Sequence, residues 1–162
     1  MKTSRLLWIC ALLMLTISMS SCSDDDSDSQ GVSYVDNPKT LDGTWFLVKA
    51  SYGFEGIKEY APGEVAININ KTNKTLSVDV KNDEQARDFL KSGTYPYTTA
   101  KETRQIFTKD LMNVEYEVMR IQVSNELGTY EVKYDYYFRD GMLILDGGVA
   151  VDGPGYFFKK LK

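Results

Sequence analysis

Few side chains in this sequence could do chemistry. The 162 residues contain no His and only two Cys, so no His-based nucleophile, general base or metal site can form. Carboxylates such as Asp79, Glu115 and Glu117 occur singly on predicted solvent faces, and no glycine-rich loop precedes a helix. The sequence therefore predicts no catalytic residue, no metal ligand and no cofactor, and we expect a protein that is not an enzyme. One catalytic arrangement stays open, because two carboxylates that face each other across a cleft, as in glycoside hydrolases, cannot be recognised from the sequence.

The first 21 residues have the layout of a secretory signal peptide. Lys2 and Arg5 give a positive start, residues 6–17 are apolar except for Thr16, and small polar residues follow. Twelve residues are too few for a spanning helix, which needs about 20 apolar residues. Residues 1–21 are therefore predicted to be a cleaved signal, and Cys10 leaves the mature protein with them.

A cysteine stands directly after this signal. The segment Met19-Ser20-Ser21-Cys22 resembles the lipobox of bacterial lipoproteins, although the family usually has Leu where Met19 stands. In that family the Cys is acylated and the signal is cut before it. The resemblance implies that Cys22 is lipidated and that the membrane is a partner through this anchor. An ordinary signal followed by a free Cys is the alternative.

An acidic stretch follows the cysteine. Ser23-Asp24-Asp25-Asp26-Ser27-Asp28 resembles the surface-export signal of Bacteroides-type lipoproteins, which implies an outer membrane lipoprotein exposed on the cell surface. A solvated acidic spacer is the alternative. We predict a flexible tether over residues 22–38. Beyond residue 28, 17 basic residues stand against 19 acidic ones, so no nucleic-acid partner is expected.

From Leu41 onward, apolar and polar residues alternate with a period of two. The clearest run places Tyr130, Val132, Tyr134, Tyr136 and Phe138 on one face. Eight or nine such runs, joined by short turns, predict an all-β fold, an antiparallel up-and-down β-barrel. We expect closure because it removes exposed strand edges, with a sandwich as the alternative.

Two local departures from this alternation are predicted. Residues 82–91 combine a possible cap at Asn82, a partial apolar face and a stop at Gly93, which predicts one short helix. The apolar parity changes between Val118 and Met119, and a β-bulge at residues 118–120 would explain this change without exposing either set.

The first strand carries a short motif. Leu41-Asp42-Gly43-Thr44-Trp45-Phe46-Leu47 resembles the Gly-x-Trp motif of lipocalins and lipocalin-like lipoproteins. In that family the Gly lets the chain enter the barrel and the Trp plugs its closed end. The resemblance implies a lipocalin-like barrel over residues 39–162. Two features depart from it: the last strand offers only lysines where lipocalins often stack an Arg over the Trp, and no helix follows that strand. As an alternative, Trp45 is an ordinary core residue.

Aromatic residues are the candidate binding groups. An eight-stranded barrel either holds one small ligand or is filled by its side chains. We expect a small, partly apolar ligand in a cavity of at least about 300 Å³ opposite the Trp45 end; ordinary core packing is the alternative. The candidate ligand-binding residues are Trp45, Tyr116, Tyr130, Tyr134 and Tyr136.

A second function uses the outside of the barrel. A non-enzymatic binding or accessory module would recognise a glycan or an envelope protein through aromatic residues in or near loops. These residues are Tyr52, Phe54, Tyr60, Tyr95 and Tyr97. Packing of the same side chains over the barrel ends is the alternative.

Overall fold

Nine antiparallel strands form the part of the chain that the computed structural model describes, residues 31–82, 89–107, 111–148 and 153–162. The strands are β1 (Gly43–Ser51), β2 (Ile57–Glu59), β3 (Val65–Asn70), β4 (Thr75–Val80), β5 (Gly93–Phe107), β6 (Leu111–Asn125), β7 (Gly128–Arg139), β8 (Met142–Asp146) and β9 (Gly155–Lys160). A single turn of 3-10 helix covers Gly53–Glu55. The predicted signal peptide, Cys22 and most of the predicted helix at 82–91 lie outside the described residues.

The sheet closes on itself. Strands β3 to β9 pair in chain order, and β1 pairs with β3 on one side and with β9 on the other. This gives an eight-stranded barrel, while β2 is a ninth strand added to β1. Because consecutive strands are joined in order and run antiparallel, the predicted up-and-down β-barrel is confirmed.

The up-and-down course gives the barrel two distinct ends. The end where β1 begins, called here the Trp45 end, also holds the β3–β4 turn and the β7–β8 turn. The opposite end, called the far end, holds the connections β1–β2, β4–β5, β6–β7 and β8–β9. The two ends therefore carry different sets of side chains.

The chain joins the barrel at the Trp45 end. The compact unit of the barrel runs from Val32 to Lys162. Tyr34 forms a β-bridge with Leu161, and the Lys162 N–H donates to the Ser33 carbonyl at 3.0 Å. Pro38 is buried. The last residues of the predicted tether are thus part of the barrel unit, because their backbone groups pair with the end of β9.

The core lies inside the barrel. Inward-pointing residues of the eight barrel strands form one apolar cluster, including Val65, Ile67 and Ile69 of β3 and Leu76 and Val78 of β4. Strands β3 and β4 form a hairpin in which Ile67 pairs with Val78. Full burial of each such side chain contributes about 1.5–3 kcal/mol.

The bulge occurs in a different strand from the predicted one. The register between β1 and β9 shifts between Leu47 and Lys49, so that Leu47 and Ala50 both face inward despite their spacing of three. In β6 the pairing is continuous on both sides through Val118 and Met119, and the predicted bulge at 118–120 is wrong.

The parity change in β6 has another cause, namely that both faces of this strand are covered. Val118 is buried but points away from the core cluster. Arg104 of β5 reaches Asp135 of β7 across β6, at 2.6 Å, so ion-paired side chains lie over the outer face. A strand with buried apolar residues on both faces shows the same change of apolar parity in its sequence as a strand with a bulge.

Candidate functional site

The predicted aromatic face of β7 does line the interior. Tyr134 is buried in the core, Tyr136 lies toward the Trp45 end, and Tyr130 lies at the far end, where it is half exposed. Trp45 is fully buried. Tyr116 lies apart from these residues. It is on the outer face of β6, with the Arg104 guanidinium 5.0 Å from its ring centroid, because the absence of a bulge leaves it on the same side as Val118.

Aromatic rings occupy the interior at the far end. The Phe89 ring centroid lies 4.8 Å from that of Tyr156 and 5.6 Å from that of Phe158. Tyr134 and Tyr156 meet edge to face at 5.8 Å. Burial raises the pKa of Tyr134 to about 12. The space where we expected a ligand cavity therefore contains packed side chains of the described residues.

Most of the predicted loop aromatics also pack against the barrel. Tyr60 and Tyr97 are buried, and Tyr52 and Tyr95 pack partly against the core. The Tyr52 and Tyr60 hydroxyls lie 3.0 Å apart. Phe54 alone of the five is exposed, at 94%. Four of these five side chains therefore follow the packing alternative.

Trp45 closes the other end of the barrel. Its indole N–H donates to the Leu41 carbonyl at 2.7 Å, and its ring stacks on Phe138 with the centroids 6.0 Å apart. The Lys160 ammonium lies 5.4 Å from the indole centroid, so a lysine provides the cation–π contact over this ring. Gly43 permits this approach, because it has a φ of +114° and a Cβ there would stand 3.0 Å from Lys160 Cε.

Beside this plug is a cleft of about 200 Å³, referred to below as the Trp45-end cleft. Four separate parts of the chain form it: the segment before β1, the β3–β4 turn, and stretches of β5 and β7. Its lining residues are Lys39, Thr40, Leu41, Lys71, Lys74, Tyr97, Thr99, Tyr136 and Phe138. Three of these nine are lysines and none is acidic.

Backbone contacts hold the β3–β4 turn against this cleft. The Lys71 N–H donates to Asp42 Oδ1 at 2.9 Å, and the Tyr97 N–H donates to the Lys74 carbonyl at 2.9 Å. Lys74 itself adopts a φ of +55°, the left-handed conformation that completes the turn. The two turn lysines are thereby fixed next to Tyr97.

The Tyr97 hydroxyl is the unusual group of this cleft. Tyr97 is only 2% exposed, and its buried hydroxyl has no hydrogen-bond partner among the described residues. Burial, followed by the charge of Asp42, raises the pKa of this hydroxyl. A buried hydroxyl without a hydrogen bond costs about 1–3 kcal/mol. A bound molecule that hydrogen-bonds to Tyr97 would remove this cost.

Tyr136 supplies a second hydroxyl. It donates to Glu117 Oε2 at 3.1 Å. Burial, together with this hydrogen bond, raises the pKa of Tyr136 to about 12. Glu117 also lies 3.7 Å from the Lys101 ammonium, whose closer partner is Glu115 at 2.6 Å. Both hydroxyls are therefore protonated at neutral pH. The Tyr136 proton is used by Glu117, whereas the Tyr97 hydroxyl has no acceptor among the described residues.

This arrangement offers hydrogen-bond donors, positive charge and an aromatic wall, which together suit binding.

Among the described residues, no three acidic or other metal-ligating side chains form a group that could hold a metal ion. Within the same ranges, no helix has the length and apolar character needed to cross a membrane.

The sequence identified parts of this site for other reasons. Tyr136 was predicted as a ligand-binding residue and Tyr97 as a loop aromatic. Lys71 and Lys74 carry no signal beyond their place in a turn. The cleft joins segments separated by up to 99 residues, from Lys39 to Phe138, and this proximity follows only from closure of the barrel.

Comparison of the chain with protein-family models, with curated proteins and with solved structures finds no match.

Proposed function

We propose that this protein is a lipid-anchored, non-enzymatic binding protein of the bacterial outer membrane, held through Cys22 and exposed on the cell surface. The anchor and location are supported by the apolar segment 6–17, the lipobox-like residues before Cys22 and the acidic stretch after it. Two or three acyl chains on one cysteine suffice for stable anchoring, whereas a single chain is marginal.

The ligand site in this proposal is the Trp45-end cleft and not the barrel lumen. The rings of Phe89, Tyr134 and Tyr156 occupy the lumen at the far end, and Trp45 with Phe138 occupies the other end. The cleft, by contrast, is open to solvent and lined by three lysines. We propose a small ligand that is partly apolar, since the Phe138 ring and Leu41 form one wall.

One observation carries this proposal: the Tyr97 hydroxyl is buried beside the cleft and has no hydrogen-bond partner among the described residues. Buried polar groups in folded proteins are nearly always hydrogen-bonded, and the exceptions often mark functional sites. The neighbouring side chains cover this hydroxyl completely, so a ligand oxygen or nitrogen in the cleft would complete its hydrogen bonding after a small shift of the lining side chains.

Native mass spectrometry of the protein purified in detergent from its own host tests this proposal. We expect the wild-type protein to retain a small molecule and the Tyr97→Phe variant to lose most of it. Tyr137→Phe is the matched control, because Tyr137 is 41% exposed and does not line the cleft. A wild-type protein without any retained molecule, or equal retention by the Tyr97→Phe variant, would contradict the proposal.

The alternative, contact with a glycan or envelope protein through loop aromatics, has less support. Among the five predicted residues, only Phe54 is exposed. Close to it in the described sequence, Ile57 is the one other exposed large apolar residue. Leu127, in the β6–β7 turn, is a further exposed apolar residue of the far end, at 97%.

A further inference from the structure

The charge of the Trp45-end cleft indicates what kind of group it accepts. Residues 32–162 carry 17 basic and 19 acidic residues, so the barrel as a whole is nearly neutral. The cleft lining departs from this balance, because Lys39, Lys71 and Lys74 contribute three positive charges and no lining residue is acidic. An anionic ligand is therefore favoured over a neutral or cationic one.

The donors of the cleft favour phosphate over carboxylate. Paired, planar recognition of a carboxylate is the usual role of Arg, whereas Lys binds phosphate as a compact point charge. The lining contains lysines and no Arg. The Tyr97 hydroxyl adds a neutral donor to the lysine ammonium groups, and a phosphate has more acceptor oxygens than a carboxylate with which to use these donors.

The nearby carboxylates already have partners. Asp42 accepts the Lys71 N–H at 2.9 Å, and Glu117 accepts the Tyr136 hydroxyl at 3.1 Å. Glu117 also lies 3.7 Å from Lys101. These two acids shape the cleft and reduce its positive potential, but they leave the three lining lysines without an ion pair among the described residues.

The position of the cleft relates it to the anchor. Tyr34 bridges Leu161 at the end of β9, so the chain joins the barrel at the same end as the cleft. Only ten peptide units separate Cys22 from Val32, and such a stretch spans at most about 35 Å. A tether of this length to an acylated Cys22 makes a lipid headgroup one of the two sources of a ligand that the experiment must separate.

We propose that the Trp45-end cleft binds a phosphate group, carried either by a lipid headgroup or by a small soluble molecule. Lys71 and Lys74 supply the charge, and the Tyr97 hydroxyl donates to a phosphate oxygen. This inference rests on the proposed function, since it names the ligand class of the same site.

Equilibrium dialysis against radiolabelled inorganic phosphate tests the inference, using the acylated protein in an uncharged maltoside detergent. We expect saturable binding at about 10 mM or below, at least about tenfold weaker in the double variant Lys71→Ala/Lys74→Asn. Asn is used at position 74 because it tolerates a positive φ. The control Lys81→Ala/Lys91→Ala removes the same charge from exposed residues of the far end and should bind like the wild type.

A second variant distinguishes loss of phosphate binding from misfolding. Tyr97→Phe should weaken phosphate binding several-fold without lowering the free energy of unfolding of the free protein, a combination that a purely structural role of Tyr97 would not produce. The inference fails if the wild type shows no saturable binding, or if the two lysine double variants bind phosphate equally.

Competition distinguishes the two sources of phosphate. Dihexanoyl phosphatidic acid that displaces labelled phosphate at least about tenfold better than glycerol phosphate indicates a lipid headgroup, because the acyl chains are the only difference. Equal displacement indicates a soluble phosphate ester. If the protein from its own host instead retains a phosphorus-free molecule that the Tyr97→Phe variant loses, the phosphate inference is wrong and the proposed binding function stands.

Discussion

Two tyrosine hydroxyls inside the barrel have opposite surroundings. Tyr134 and Tyr97 are both buried, at 5% and 2% exposure. The Tyr134 hydroxyl is hydrogen-bonded to that of Tyr156, whereas the Tyr97 hydroxyl has no partner among the described residues. The same chemical group is therefore hydrogen-bonded at one end of the barrel and without a partner among the described residues at the other.

Removing each hydroxyl should have different effects on stability. We expect Tyr134→Phe to lower the free energy of unfolding by about 1 kcal/mol, because a hydrogen bond between buried groups is lost. Tyr97→Phe should leave it unchanged or raise it by up to about 1 kcal/mol, because an unsatisfied polar group is removed. Urea denaturation of both ligand-free variants measures the difference. A large loss of stability in Tyr97→Phe would show that its hydroxyl already has a partner.

At the scale of the strand, the outer face of β5, β6 and β7 carries a connected set of charges. Glu102 of β5 accepts from Lys133 at 2.6 Å and also pairs with Arg120, while Arg104 pairs with Asp135. Hydrogen bonds from Lys133 and Arg120 lower the pKa of Glu102 to about 2. Because these side chains bridge three strands, Glu102 links the long β5–β6 hairpin to the rest of the sheet.

The lowered pKa of Glu102 predicts a specific pH dependence. A carboxyl group with a pKa below its ordinary value of 4.5 stabilises the fold above pH 4.5, and this contribution is lost as the pH falls toward about 2. Glu102→Gln should therefore lower the melting temperature at neutral pH, and the difference from wild type should shrink between pH 4.5 and 2. Glu115→Gln, which removes a mostly exposed partner of Lys101, should change little. A difference for Glu102→Gln that is constant with pH would contradict this account.

The alternation of the sequence predicted which strands exist better than it predicted their faces. A period of two directly predicts the β3–β4 hairpin and the inward face of β7, because one side of each is buried and the other is exposed to solvent. In β1 and β6 the same signal was ambiguous. A true bulge at Val48 and a strand covered on both faces near Val118 both interrupt the alternation. Only long-range ion pairs between β5 and β7 distinguish the two cases, and pairings of that kind leave no local pattern.

For the whole molecule, closure of the barrel was predictable and the Trp45-end cleft was not. Consecutive short strands with tight turns indicate an up-and-down barrel, and Trp45 was predicted to lie at its closed end. The cleft depends on how far β5 and β7 extend past Trp45 and on where the β3–β4 turn meets them. The stagger between neighbouring strands determines that geometry, and no local sequence pattern specifies this stagger.

The anchor can be tested on the whole molecule. Cys22→Ala should release the protein from host membranes into the soluble fraction, because acylation at this residue is the proposed attachment. The barrel should keep its melting temperature, since its compact unit begins at Val32. Membrane fractionation and thermal unfolding of the same samples measure both effects. A variant that stays with the membrane would contradict the proposed lipidation of Cys22.

The site itself is tested most directly by amide NMR spectra of the isotope-labelled wild-type protein, recorded as purified from its own host and again after unfolding and refolding in detergent to remove any ligand. We expect the differences between the two spectra to cluster at residues 39–42, 71–74, 97–99 and 136–138, around the Trp45-end cleft. Differences confined to Phe89, Tyr134 and Tyr156 at the far end, or identical spectra, would contradict it.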